Sequence, residues 1–143
     1  MIDVEEVLSD FPIVTLEAGT PILEQGGRSH CLYFLLEGEV VVLRDGVEIA
    51  ASTSKGSMYG EMSVILGEDH SATVKCVKES KFYQIDDPQK FMTSHPEAIW
   101  HITQVLCHRL ANLNRYLIDM KHRYDEENYL RIVDDTLKEL MQQ

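Results

Sequence analysis

Paired cysteine, proline and positive charge are what this chain has least of. Its 143 residues include 3 cysteines, 4 prolines and 1 tryptophan. Cys31, Cys76 and Cys107 are odd in number, far apart and set in otherwise apolar stretches. No disulfide framework is expected from them, and no C-x-x-C offers zinc binding or redox exchange. They read as reduced, mostly buried thiols of a cytoplasmic protein. Against 13 Lys and Arg stand 24 Asp and Glu, a formal net charge of −11. Nucleic acids and anionic membrane surfaces are held by clustered cations, so neither is expected as a partner. No apolar run approaches the ~20 residues of a membrane helix. The acidic start, Met1-Ile2-Asp3-Val4-Glu5-Glu6, lacks the basic and apolar regions of a signal peptide.

What is present suits one ordinary globular domain: 44% hydrophobic and 26% charged residues in a chain of the commonest domain length. The charge is uneven. Residues 1–97 hold 7 basic and 17 acidic side chains, residues 98–143 hold 6 and 7. An anion bound in the first part must be held by local geometry against the background field.

Two textures meet between Pro88 and Pro96. Before them, β-branched and aromatic runs alternate with glycine-containing turns. The runs are Ile13–Leu16, Leu32–Leu36, Val40–Leu43, Ala72–Cys76 and Lys81–Ile85. Asp45-Gly46, ahead of Val47-Glu48-Ile49-Ala50, is a hairpin signal. Many short, regularly spaced strands predict an antiparallel sandwich or barrel. Val4 to Phe11 reads as a short helix packed outside it.

No glycine or proline follows Pro96, and helical periodicity takes over. Ser94 is the expected N-cap, with Pro96 and Glu97 in the first turn. Apolar residues recur at Ile99, Ile102, Leu106, Leu110, Leu113, Leu117, Met120 and Tyr124. The early part is expected to lie on the barrel. From Leu106 onward the spacing is that of a coiled-coil seam, which predicts pairing with a second copy through Leu106, Leu110, Leu113, Leu117 and Met120. The register breaks near Asp125-Glu126-Glu127, and Leu130, Val133, Leu137 and Leu140 mark a second helix. The expected organisation is one domain: a barrel over 1–97, a dimer helix over about 97–124 and a short helix over about 126–141.

The segment richest in chemistry is residues 59–74, Tyr-Gly-Glu-Met-Ser-Val-Ile-Leu-Gly-Glu-Asp-His-Ser-Ala-Thr-Val. It reads as a glycine-led turn, one or two helical turns, a polar loop and a strand. A helix opening after glycine presents unpaired backbone N–H groups and partial positive charge, which suits phosphate. Glu61 either accepts hydrogen bonds from a sugar hydroxyl or caps the helix; spacing alone does not choose.

Over residues 12 to 123 the sequence resembles the cyclic nucleotide-binding domain family. Pro21-Ile22-Leu23-Glu24-Gln25-Gly26 and Leu32-Tyr33-Phe34-Leu35-Leu36-Glu37-Gly38-Glu39-Val40 resemble its early strands, and 59–74 its phosphate-binding cassette. The resemblance implies a mainly β fold: an eight-stranded antiparallel jelly-roll barrel with a short N-terminal helix and long C-terminal helices. It also implies a ligand, cAMP or cGMP. Gly60 would allow the close approach, Glu61 would bind the ribose hydroxyl, the Met62 backbone would line the pocket, and Ser71 and Ala72 would meet the phosphate. The base would contact Asn112, Leu113 or Asn114.

Three departures bear on this. Where the family has an arginine that grips the phosphate, this chain has His70. Histidine has fewer donors and is largely neutral at pH 7, so affinity is expected to fall roughly 10- to 100-fold, the loss of one charge-assisted pair. Lys55-Gly56-Ser57 stands where the family has Pro-Gly-Asp. The roughly 20 residues after the long helix are too few and too acidic for a helix-turn-helix.

Enzymatic alternatives find little support. His101 and His108 lie two turns apart on one helix, too far for joint ligation within a chain, and no H-x-H pair suggests a metal-binding jelly roll. The count of six histidines does not decide for or against haem. The expected function is a non-enzymatic cytoplasmic regulatory domain that binds a cyclic nucleotide and signals to an effector through its C-terminal helix, without metal. The alternative is a ligand-free dimerisation module.

Overall fold

The computed structural model describes residues 3–123 and 127–142. The elements in chain order are α1 (Val4–Leu8), β1 (Ile13–Leu16), β2 (Pro21–Leu23), β3 (Leu32–Glu37), β4 (Val40–Arg44), β5 (Val47–Ser52), β6 (Met58–Tyr59), α2 (Glu61–Leu66), β7 (Thr73–Cys76), β8 (Ser80–Ile85), α3 (Pro88–Ser94), α4 (Pro96–Arg123) and α5 (Glu127–Met141). They form two compact units, Met1–Pro96 and Glu97–Gln143.

In the first unit the eight strands make two antiparallel sheets, ordered β1-β8-β3-β6 and β2-β7-β4-β5. This is the strand order of a jelly roll, as the family resemblance implied. The turn at Asp45-Gly46 has both residues at positive φ (52° and 77°), the conformation that lets a two-residue hairpin follow strand twist. Between the sheets lie Leu23, Leu35, Val40, Tyr59, Val74, Cys76 and Phe82. In β7 buried Val74 and Cys76 flank exposed Lys75, the period-2 pattern of a half-buried strand. At the β3–β4 turn Gly38 lies so close to Ser80 that a Cβ would stand 2.1 Å from its Oγ.

The helices of this unit are short. Asp3 caps α1 by accepting the Glu5 N–H at 3.0 Å, and α1 buries Leu8. Helix α3 was not anticipated. Asp87 caps it through the Lys90 N–H, and Pro88 occupies its first turn. Phe91 then packs edge-on against Phe11 and Phe34 at centroid separations of 5.2 and 6.2 Å. Ser94 is therefore the last residue of α3 and not the N-cap of α4. His95, at φ −132° and ψ 75°, separates the two helices.

In the second unit α4 runs for 28 residues, about 42 Å at the usual helical rise. Ala98 and Ile102 are its buried residues. Leu110 and Leu113 are 45% and 42% exposed, and Leu106, Leu117 and Met120 are half-buried. Lys121 pairs with Asp134 across α4 and α5, and Val133 of α5 is buried. Tyr124, the last residue of the apolar repeat, and the break at Asp125-Glu126 lie outside the described residues.

Candidate functional site

Helix α2 begins and ends on left-handed glycines, Gly60 at φ 91° and Gly67 at φ 68°. Only glycine reaches such angles without steric cost. Gly60 has a second reason to lack a side chain: a Cβ there would lie 2.7 Å from the Cys31 carbonyl oxygen. The turn thus presses against the start of β3 and delivers Glu61 into the first helical turn, where it is buried together with Ser63. The first helical bond runs from the Val64 N–H to the Gly60 carbonyl at 3.1 Å. Gly67 closes the helix by donating its N–H to Ser63 at 2.9 Å, and the Ser63 hydroxyl donates to the Glu68 carbonyl at 2.5 Å. Met62, Ile65 and Leu66 are exposed.

The far end of the cassette is fastened to the β2–β3 loop. The Gly26 N–H donates to the His70 carbonyl (2.9 Å) and the His70 N–H to the Gly27 carbonyl (2.8 Å). The Gln25 N–H donates to Thr73 Oγ1 at 3.0 Å, and Arg28 Nε to Asp69 Oδ1 at 3.0 Å. The His70 ring joins this set. It is 7% exposed, and its Nε2 lies 3.1 Å from the Ser29 backbone nitrogen and 3.0 Å from Ser29 Oγ. A backbone N–H only donates, so Nε2 is the unprotonated nitrogen of the ring. Burial lowers the ring's pKa from the ordinary 6.5, against a smaller upward pull from Asp69.

The expected residues Gly60, Glu61, Met62, His70, Ser71 and Ala72 therefore lie along one helix–loop–strand segment of the first unit. Ser71 is exposed and Ala72 half-buried, at the entry to β7. Asn114 lies on α4 in the second unit, where its Oδ1 is buried without a hydrogen-bond partner. Sequence reasoning missed Arg28 and Ser29. Contacts 41 residues distant in the chain leave no local pattern, and only the Gly26-Gly27 pair hinted at a turn there.

A cavity of about 260 Å³ lies on the inner side of α2, lined among others by Arg28, His30, Ser63, Glu68, Asp86 and Asp87. None of the expected ligand residues lines it. Nearby, Cys31 Sγ donates to Asp86 at 3.3 Å. Burial, then the Asp86 bond and charge, raise the Cys31 thiol's pKa, so it is a poor nucleophile. The neighbouring Tyr33 hydroxyl is pushed up to about 12, chiefly by burial. Among the described residues no group of three His, Cys, Asp or Glu side chains is placed to hold a metal ion, and no helix is long and apolar enough to cross a membrane.

The comparisons with known proteins agree with this fold. A regulatory subunit of cAMP-dependent protein kinase from Schizosaccharomyces pombe is 25% identical over 84 residues, 59% of this chain and 20% of that one. Glutaminase 1 of Bradyrhizobium diazoefficiens is 34% identical over 103 residues, 70% of this chain and 16% of the enzyme. The chain thus spans a fifth or less of either relative. The crystal structure of Thermus thermophilus catabolite activator protein superposes with a TM-score of 0.68 at 26% identity, covering 82% of this chain and 59% of that one. Residues 13–92, which run from β1 into α3, match the cyclic nucleotide-binding domain family, and the chain belongs to that family.

Proposed function

We propose that this chain is a non-enzymatic cytoplasmic regulatory domain that binds a cyclic nucleotide at the cassette. Gly60 lets the ligand approach the backbone, Glu61 accepts from the ribose hydroxyl, and the Met62 backbone, Ser71 and Ala72 complete the sugar and phosphate contacts. The observation that carries this reading is the buried Glu61 directly behind left-handed Gly60, within the stretch that matches the family. The kinase regulatory subunit among its relatives makes cAMP the first ligand to try, and cGMP the second. Asn114 is kept as the candidate for the base on its position in the family resemblance alone.

The ligand signal passes through α4 to an effector protein. Two copies associate through Leu106, Leu110, Leu113, Leu117 and Met120, whose partial or full exposure on a polar helix fits a seam awaiting a partner. Neither nucleic acid nor membrane is a partner. Position 70 lacks the permanent cation that the family places there, so the phosphate is held mainly by backbone and hydroxyl donors and affinity is modest.

Calorimetric titration with cAMP and with cGMP tests this. The wild type binds one of them saturably, and Glu61→Gln weakens binding about tenfold or more by removing a charge-assisted hydrogen bond. A second reading, a dimerising module without ligand, draws on the engagement of the His70 ring by Ser29. It is favoured if the wild type binds neither nucleotide yet sediments as a dimer.

A further inference from the structure

The fastening of the cassette to the β2–β3 loop depends on which His70 nitrogen carries a proton. The Ser29 backbone N–H donates to Nε2 at 3.1 Å, and the Ser29 hydroxyl lies 3.0 Å from the same atom. A proton on that atom turns acceptor into donor. It sets N–H against N–H in a place where the backbone donor has no freedom to turn away. Around it the contact is held by backbone bonds from His70 to Gly26 and Gly27 and by the Arg28–Asp69 pair, whose side chains are 57% and 59% exposed. Exposed pairs of this kind hold little on their own. Ser71 and Ala72, the proposed phosphate contacts, follow immediately in the chain, so the contact sets the path of their backbone into β7.

We infer that His70 is a positioning residue acting uncharged: by accepting from Ser29 it pins the Gly26–Ser29 loop to the cassette, and a proton on its ring releases that loop and weakens nucleotide binding. The inference rests on the nucleotide reading above for its effect on affinity, and on the contact geometry alone for the latch. Its sign is distinctive. A histidine that gripped the phosphate directly would bind better when charged, so acidification would strengthen the complex. A latch does the reverse. The charged groups about the ring are Asp69, its neighbour in the chain, and Arg28 across the contact; Glu68 and His30 line a cavity together with Arg28. Asp69 draws a proton toward the ring and burial opposes it more strongly. The release therefore falls on the acid side of the ordinary value of 6.5.

The full chain and His70→Gln, whose side-chain oxygen can accept where Nε2 does and which has no proton to gain, are titrated with cAMP, or with cGMP if that is the nucleotide bound, at pH 7.5 and 5.5. The wild type is expected to lose affinity at pH 5.5, by no more than about tenfold because the ring titrates below its ordinary value. His70→Gln should stay within about twofold. Nitrogen-15 NMR of the unliganded ring should show the proton on Nδ1 at neutral pH, with the Ser29 amide protected from exchange. Affinity that rises on acidification, an equal fall in His70→Gln, or a neutral ring protonated on Nε2 would each overturn the inference. If no nucleotide binds, the functional reading fails instead. The ring tautomer and the Ser29 amide then decide the latch by themselves.

Discussion

At the scale of single residues, the site rests on positions where chemistry leaves little choice. Gly60 combines a φ of 91° with 2.7 Å from a would-be Cβ to the Cys31 carbonyl. Gly60→Ala should therefore cost about 1–3 kcal/mol in chemical denaturation, and a change near zero would mean that the turn relaxes freely. The sequence pointed to this glycine through its neighbours, because Gly-Glu ahead of a short apolar run has a recognisable shape. It was silent on the partner of the His70 ring. Nothing local says that an imidazole at 70 meets an amide at 29, and the expectation that His70 faces a phosphate came from family position alone. The buried ring also affects stability. Its pKa is lowered in the fold, so the folded chain binds fewer protons than the unfolded chain at mildly acid pH. The stability held by the neutral ring is complete well above 6.5 and is lost as pH falls below it. Melting temperatures between pH 7.5 and 5.5 should fall further for wild type than for His70→Gln, and parallel curves would exclude a role for this ring.

At the scale of elements, what could be read in advance followed how strongly each pattern is written. β1, β3, β4, β7 and β8 lie within a residue or two of the runs read from composition, because each is a β-branched and aromatic run bounded by turn residues. β6 has two residues and β2 three, too short for a period to show. α3 escaped notice for another reason: Pro88 and Pro96 looked like the edges of a break, whereas Pro88 opens a helix capped by Asp87. The core is more uniform. Phe82 is wholly buried among residues of both sheets, so Phe82→Ala should cost about 3–5 kcal/mol, measured by urea denaturation. A loss under 1 kcal/mol would mean that the core is not closed around it. On α4, Leu113→Asp places a charge in the proposed seam. Sedimentation should then report monomers, and an unchanged dimer mass would refute pairing through these leucines.

At the scale of the whole molecule, the charge of −11 sets the background against which an anionic ligand must bind. Most of that excess lies in residues 1–97, the part that carries the cassette, and position 70 supplies no permanent cation. The long-range field should repel a cyclic nucleotide, and added salt should screen it. Affinity is therefore expected to improve by up to a few-fold between low and physiological ionic strength, the opposite of sites built on surface cations. On the proposed reading the cassette sets where a nucleotide would sit, and the charge distribution sets how tightly it would be held. Both meet in one experiment, the calorimetric titration of the full chain and of Glu61→Gln with cAMP and cGMP near pH 7.5. Saturable binding of one nucleotide by the wild type, weakened about tenfold or more by Glu61→Gln, is the expected result. No binding by a folded wild type, or equal affinity in both proteins, would contradict a nucleotide-sensing cassette centred on Glu61.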